Sequence, residues 1–142
     1  MRKMIWRSLA FSAAVLVAQL MLTTVTAQTR VMRVDVPFAF VASETVLPAG
    51  MYYVAYDAVS HKLAMTANEG PHMAFLMPAT TAFGSAQTEN PKLLFHKYGG
   101  EYFLREVVSS VGSVTWTMGP AKAEKTRLKN VGFEVAELRA QR

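Results

Sequence analysis

His61, His72 and His96 are the residues of this sequence best suited to acid–base or metal chemistry, and their spacing supports neither. No His-x-x-x-His pair occurs, and no carboxylate stands at a usual ligand offset. A histidine in this setting reads as a partly buried hydrogen-bonding residue. His96 is the most interesting, because the strand pairing derived below sets Phe103 opposite it and Glu101 and Arg105 on its diagonals. Six methionines follow residue 27: Met32, Met51, Met65, Met73, Met77 and Met118. Thioethers beside a histidine could hold Cu(I), and His72, Met73 and Met77 would be the place. Alternation of Met73, Phe75 and Met77 fits a core-facing strand better, with methionine filling an irregular interior. Gly84-Ser85 lacks the flanking glycine of a nucleophile elbow. Asp35, Glu44, Asp57, Glu69, Glu89, Glu101 and Glu106 fall mostly in turns or at strand ends, and no glycine-rich phosphate loop is present. These residues predict a chain that is not an enzyme and that holds no metal or cofactor.

The aromatic residues are the other candidates. Tyr52, Tyr53, Tyr56, Tyr98, Tyr102 and Trp116 are numerous for this length. They could pack a small core, or line a barrel mouth and stack on a ligand. In the second case the ligand-binding set would be Tyr52, Tyr56, Met73, Phe75 and Trp116.

The elements that position these residues are strands. Lys92 to Val107 reads as two strands joined at Gly99-Gly100, since a two-residue hairpin turn needs positive φ, which glycine supplies without steric cost. Such a turn pairs Tyr98 with Glu101, His96 with Phe103, Phe95 with Leu104 and Leu94 with Arg105. One face then holds Leu93, Phe95, Tyr102 and Leu104 and is the core face. The other, with Leu94, Tyr98 and Phe103, is too apolar for open water, and the C-terminal segment is the candidate cover.

Upstream, Val31 to Val41 alternates, with Met32, Val34, Val36, Phe38 and Phe40 pointing one way. Pro37 cannot donate to a ladder and belongs at an edge. Met51 to Ala58, Leu63 to Thr66 and His72 to Met77 follow as strands, separated by turns at 57–62 and at Asn68-Glu69-Gly70-Pro71. Ala79 to Pro91 reads as the longest loop, and Val111 to Met118 as a strand. Pro120 to Asn130 is the one helical stretch, with a narrow apolar stripe, and is expected on the surface. Val131, Phe133 and Val135 alternate as a final strand, although Val135 and Leu138 fit a helix as well. Strands at about ten-residue spacing predict an all-β fold, a single antiparallel β-barrel or sandwich of about seven to nine strands with one short C-terminal helix. The expected core includes Val34, Val36, Phe38, Tyr52, Val54, Phe75, Phe95, Leu104 and Trp116.

Residues 1–27 read as a signal peptide. Arg2, Lys3 and Arg7 precede an apolar run from Leu9 to Leu22, and Val25-Thr26-Ala27 predicts cleavage before Gln28; the alternative is an uncleaved membrane anchor. The remainder, 28–142, is one β-rich domain with 12 basic against 10 acidic residues. That balance gives no reason to expect nucleic acid. With no cysteine, the chain has no disulfide or thiolate chemistry, and stability must come from apolar burial.

Val34-Asp35-Val36-Pro37-Phe38-Ala39-Phe40, Leu47-Pro48-Ala49-Gly50-Met51-Tyr52-Tyr53-Val54 and Lys92 to Leu104 together resemble a group of functionally uncharacterised small exported bacterial β-rich proteins. The resemblance implies a signal peptide, one β-rich domain and a short Glu-containing C-terminal helix, and transfers no site residue. The expected function is a non-catalytic exported domain, periplasmic or secreted, that binds an envelope or extracellular partner and has no membrane span after cleavage. The alternative is a small apolar-ligand carrier with an internal barrel pocket, which would need a cavity of roughly 300 Å³.

Overall fold

The computed structural model describes residues 28–84, 90–109 and 113–141. Residues 1–27, expected to be a signal peptide, residues 85–89 of the expected long loop and residues 111–112 of the strand expected from Val111 to Met118 lie outside the described residues. Among the described residues, eleven strands and one helix follow in order: β1 (Gln28–Val36), β2 (Phe40–Ala42), β3 (Thr45–Leu47), β4 (Gly50–Asp57), β5 (Lys62–Ala67), β6 (Met73–Leu76), β7 (Pro78–Phe83), β8 (Lys92–Tyr98), β9 (Glu101–Val108), β10 (Val114–Met118), α1 (Lys122–Leu128) and β11 (Glu134–Arg139). Pro37 ends β1, as its missing donor requires, so the alternating run from Val31 to Val41 is divided between β1 and β2.

The strands form two sheets, and the fold is all-β, a curled half-barrel with one short helix. The first sheet has the order β1-β4-β5-β6 and the second β11-β8-β9-β10-β7. The β2–β3 hairpin joins the second sheet through a single parallel bridge, Val41 to Phe103, while every other pairing is antiparallel. β6 and β7 are separated only by Met77. This stretch leaves the first sheet and enters the second, as corner strands do in packed sheets. Among the described residues, no helix is long and apolar enough to cross a membrane.

The core lies between the sheets. Met32, Val34 and Val36 from β1, Tyr52 and Val54 from β4, and Leu63 and Met65 from β5 face Leu93, Phe95, Leu104, Val107 and Trp116. Phe40 joins the two sets, its ring edge-on to Tyr52 at 5.4 Å and to Phe95 at 5.4 Å. Phe38, half-buried, is edge-on to Phe95 and stacks on Tyr102 at 3.7 Å. The Tyr52 hydroxyl donates to the Pro48 carbonyl at 2.6 Å, so a fully buried ring keeps its polar end satisfied. Burial raises its pKa.

Gly99 has φ of 61°, in the left-handed region a two-residue turn demands. Pairing follows expectation from the turn to Phe95 and Leu104 and then shifts, so that Leu94 opposes Glu106 and Leu93 opposes Val107. Arg105 is therefore a bulge residue, not the partner of Leu94. Phe103 and Leu104 are both buried although adjacent. Side chains alternate along a strand, so β9 is covered on both faces: Leu104 lies in the core, and Phe103 lies with Tyr98 and Ala121 beneath the C-terminal segment.

Three expectations are corrected. Met73, Phe75 and Met77 point outward, and Phe75 is 63% exposed, while Ala74 and Leu76 face the core. The phase of β6 is set by its partners: Ala74 opposes buried Met65, and Leu76 opposes buried Leu63. Residues 78–83, expected in a loop, form β7, paired with β10 from Phe83 to Pro78. In β11 the inward residues are Ala136 and Leu138, and Val135 is exposed. Lys97–Glu134 and Lys92–Glu137 pairs at 3.5 Å hold β11 beside β8.

Candidate functional site

Two features stand apart from ordinary core packing: a buried polar cluster under α1, and an apolar outer face on the first sheet. The cluster begins with strand geometry. His96 and Tyr98 share one face of β8, and the bulge at Arg105 turns that side chain onto the same side. Glu124, the only buried residue of α1, points down at them and is 1% exposed. Its Oε1 accepts from the Tyr98 hydroxyl and contacts His96 Nδ1, both at 3.1 Å, and its Oε2 accepts from Arg105 at 3.1 Å. Phe133 stacks on the His96 ring at 3.9 Å and closes the cluster from outside. At the helix start the Lys122 amide donates to the Glu44 carboxylate, and near the helix end Arg127 donates to Glu101 at 2.6 Å. The helix is thus tied down at its beginning, middle and end, and its exposed face carries Lys122, Lys125, Thr126 and Arg127 beside Ala123 and Leu128.

Both Glu124 oxygens are engaged by donors from the chain itself, which makes the group a clasp between α1 and the β8–β9 hairpin. One cost remains: Arg105 Nε is buried without a hydrogen-bond partner. Burial, followed by the charge and hydrogen bond of Glu124, pushes the Tyr98 hydroxyl up to about 12 from its ordinary 10.0, against a smaller opposing pull from Arg105. A raised tyrosine pKa favours the folded state in its protonated form. That contribution is complete below about pH 10 and is lost as pH rises through about 12. In a spectrophotometric alkaline titration, one tyrosine is expected to ionise near pH 12, together with loss of stability. Ionisation of Tyr98 near pH 10 in the folded protein would contradict the clasp.

The five residues proposed to line an internal pocket do not share one. Tyr52 and Trp116 are buried within the core. Tyr56 lies 5.3 Å from Trp116, and its hydroxyl meets His61 Nδ1 at 3.1 Å. Met73 and Phe75 stand on the opposite, outer side of their sheet. A surface cleft of 370 Å³ lies between the Pro48–Gly50 turn and the Asn68–His72 turn, with Tyr52 in its wall. Another, of 200 Å³, is bounded by Asp57, Ser60, Lys62, Ala64 and Phe75. Among the described residues, no group of three or more histidines and carboxylates is placed to hold a metal ion.

The outer face of the first sheet carries an apolar strip across β4, β5 and β6, flanked by Arg33 and Asp35 on β1 and by Asp57 and Lys62 at the β4–β5 turn. Ala55, Ala64 and Phe75 lie side by side across β4, β5 and β6, with Tyr53, Thr66 and Met73 in the next row. Met77, 70% exposed, extends the line at the corner into β7. Alternation in the sequence pointed to Met73, Phe75 and Met77 as one set and assigned them to the interior. The Glu124 clasp was missed, although His96, Arg105 and the helical Glu124 were each visible as polar groups near apolar surface. In the comparisons with known proteins, no family model matches the chain, and no curated protein or solved structure does either.

Proposed function

We propose that this chain is an exported, non-catalytic β-domain that works in the cell envelope as an interaction module, with the outer face of the first sheet as its binding surface. The observation that supports this reading is the outward row Met73, Phe75 and Met77 at the margin of that sheet. Clusters of large exposed apolar residues mark interaction surfaces far more often than scattered single ones do. Their phase is imposed by Leu63 and Met65, so the row is a fixed feature of the folded sheet. Export rests on the basic and apolar pattern of residues 1–27.

Native mass spectrometry of the protein purified from its own host tests the proposal. The expected species begins at Gln28 and carries a bound protein or forms a defined oligomer. A co-purifying small molecule would replace the proposal with the carrier reading, for which the 370 Å³ cleft offers space. A full-length chain held in the inner membrane would overturn export.

A further inference from the structure

We infer that the partner of this surface is a second copy of the chain, packed face to face across a two-fold axis beside Phe75. The inference rests on the interaction-module reading and names its occupant. A two-fold contact must be self-complementary, with the same patch supplying both halves. Here the projection and the recess are neighbours. Phe75 stands 63% exposed, and beside it the 200 Å³ hollow over Ala64 is large enough for an aromatic ring. Two copies related by an axis next to Phe75 would each place that ring in the other's hollow.

The rim of the hollow supplies matched charges. Asp57 and Lys62 are opposite one another in the β4–β5 ladder and both border the recess. A two-fold axis sets Lys62 of one copy toward Asp57 of the other, twice. The Ser60 hydroxyl and then the Val59 amide hold the Asp57 carboxyl below its usual range, so it presents a negative charge at neutral pH. Face packing fits better than extension of the sheet, because β2 and β3 lie alongside β6. With 12 basic against 10 acidic residues after residue 27, overall repulsion between copies is weak.

Sedimentation velocity of the processed chain over the micromolar range tests this. Wild type should reversibly dimerise. Phe75→Glu should weaken the dimer about tenfold or more, because it buries a charge in an apolar recess. Lys62→Glu should weaken it about threefold to tenfold and reduce its salt sensitivity. Val135→Glu, on the other sheet, should leave it unchanged. Circular dichroism of each variant checks that the fold is kept. A wild type that stays monomeric would overturn the inference, as would a dimer indifferent to Phe75→Glu. If the monomer still binds a different protein through Phe75, only the identity of the occupant fails. A monomer that binds no protein at all would remove the interaction reading as well.

Discussion

Replacing Glu124 with alanine should lower the stability of the domain by about 3–5 kcal/mol, measured by denaturant unfolding. The carboxylate is almost wholly buried and meets three groups, His96, Tyr98 and Arg105. Its removal leaves the Arg105 guanidinium, already short of one partner at Nε, facing a neutral gap. Desolvation of an unpaired charge is the expensive part, far more than loss of the hydrogen bonds themselves. Glu124→Gln keeps the shape and one acceptor oxygen, although its NH2 cannot accept as the second carboxylate oxygen does, and should cost less than alanine. The remaining ties of the helix, Glu44 to Lys122 and Glu101 to Arg127, are exposed and too weak to hold it alone. Fluorescence or proton resonances of Tyr98 and Phe133 should therefore report local undocking before global unfolding. A cost below about 1 kcal/mol would mean that α1 is not clasped.

Phe95→Ala should be comparably severe, again about 3–5 kcal/mol. Phe95 has no exposed surface and is edge-on to both Phe38 and Phe40, the residues that carry the chain from β1 into the β2–β3 hairpin. Deleting the ring leaves a cavity where the two sheets meet. The aromatic neighbours come from different strands and cannot all move inward together. A loss under about 1 kcal/mol would require a pairing register of β8 and β9 different from the one observed.

Period-two alternation was enough to find β1, β4, β5 and β10, because each turns one side to the core, and the aromatic runs flanking Gly99-Gly100 were enough to find β8 and β9, which are covered on both faces. The Gly99-Gly100 turn fixed the pairing next to it. Alternation could not decide the direction of β6. Met73, Phe75 and Met77 form the larger apolar set, yet the small Ala74 and Leu76 fit under β5, and that preference belongs to the partner strand. β7 was hidden because its Thr and Ala residues are nearly all exposed, so its membership in the sheet rests on backbone bonds with β10. The bulge at Arg105 depends on which face the helix covers, and a glutamate in a basic helix gives no sign of burial until the strand beneath it is known. The second covered face of the hairpin was legible: Tyr98 and Phe103 required a cover, and Ala121, Glu124 and Phe133 provide it.

If the domain acts through the outer face of its first sheet, native mass spectrometry of wild type beside Phe75→Glu, both purified from the host, will distinguish the two. Phe75 is exposed and outside the core, so the variant should be recovered folded and in similar amount. Wild type should carry a protein partner or a second copy, and Phe75→Glu should be recovered without it. Retention of the same partner by Phe75→Glu, at the same occupancy, would mean that this face is not the binding surface.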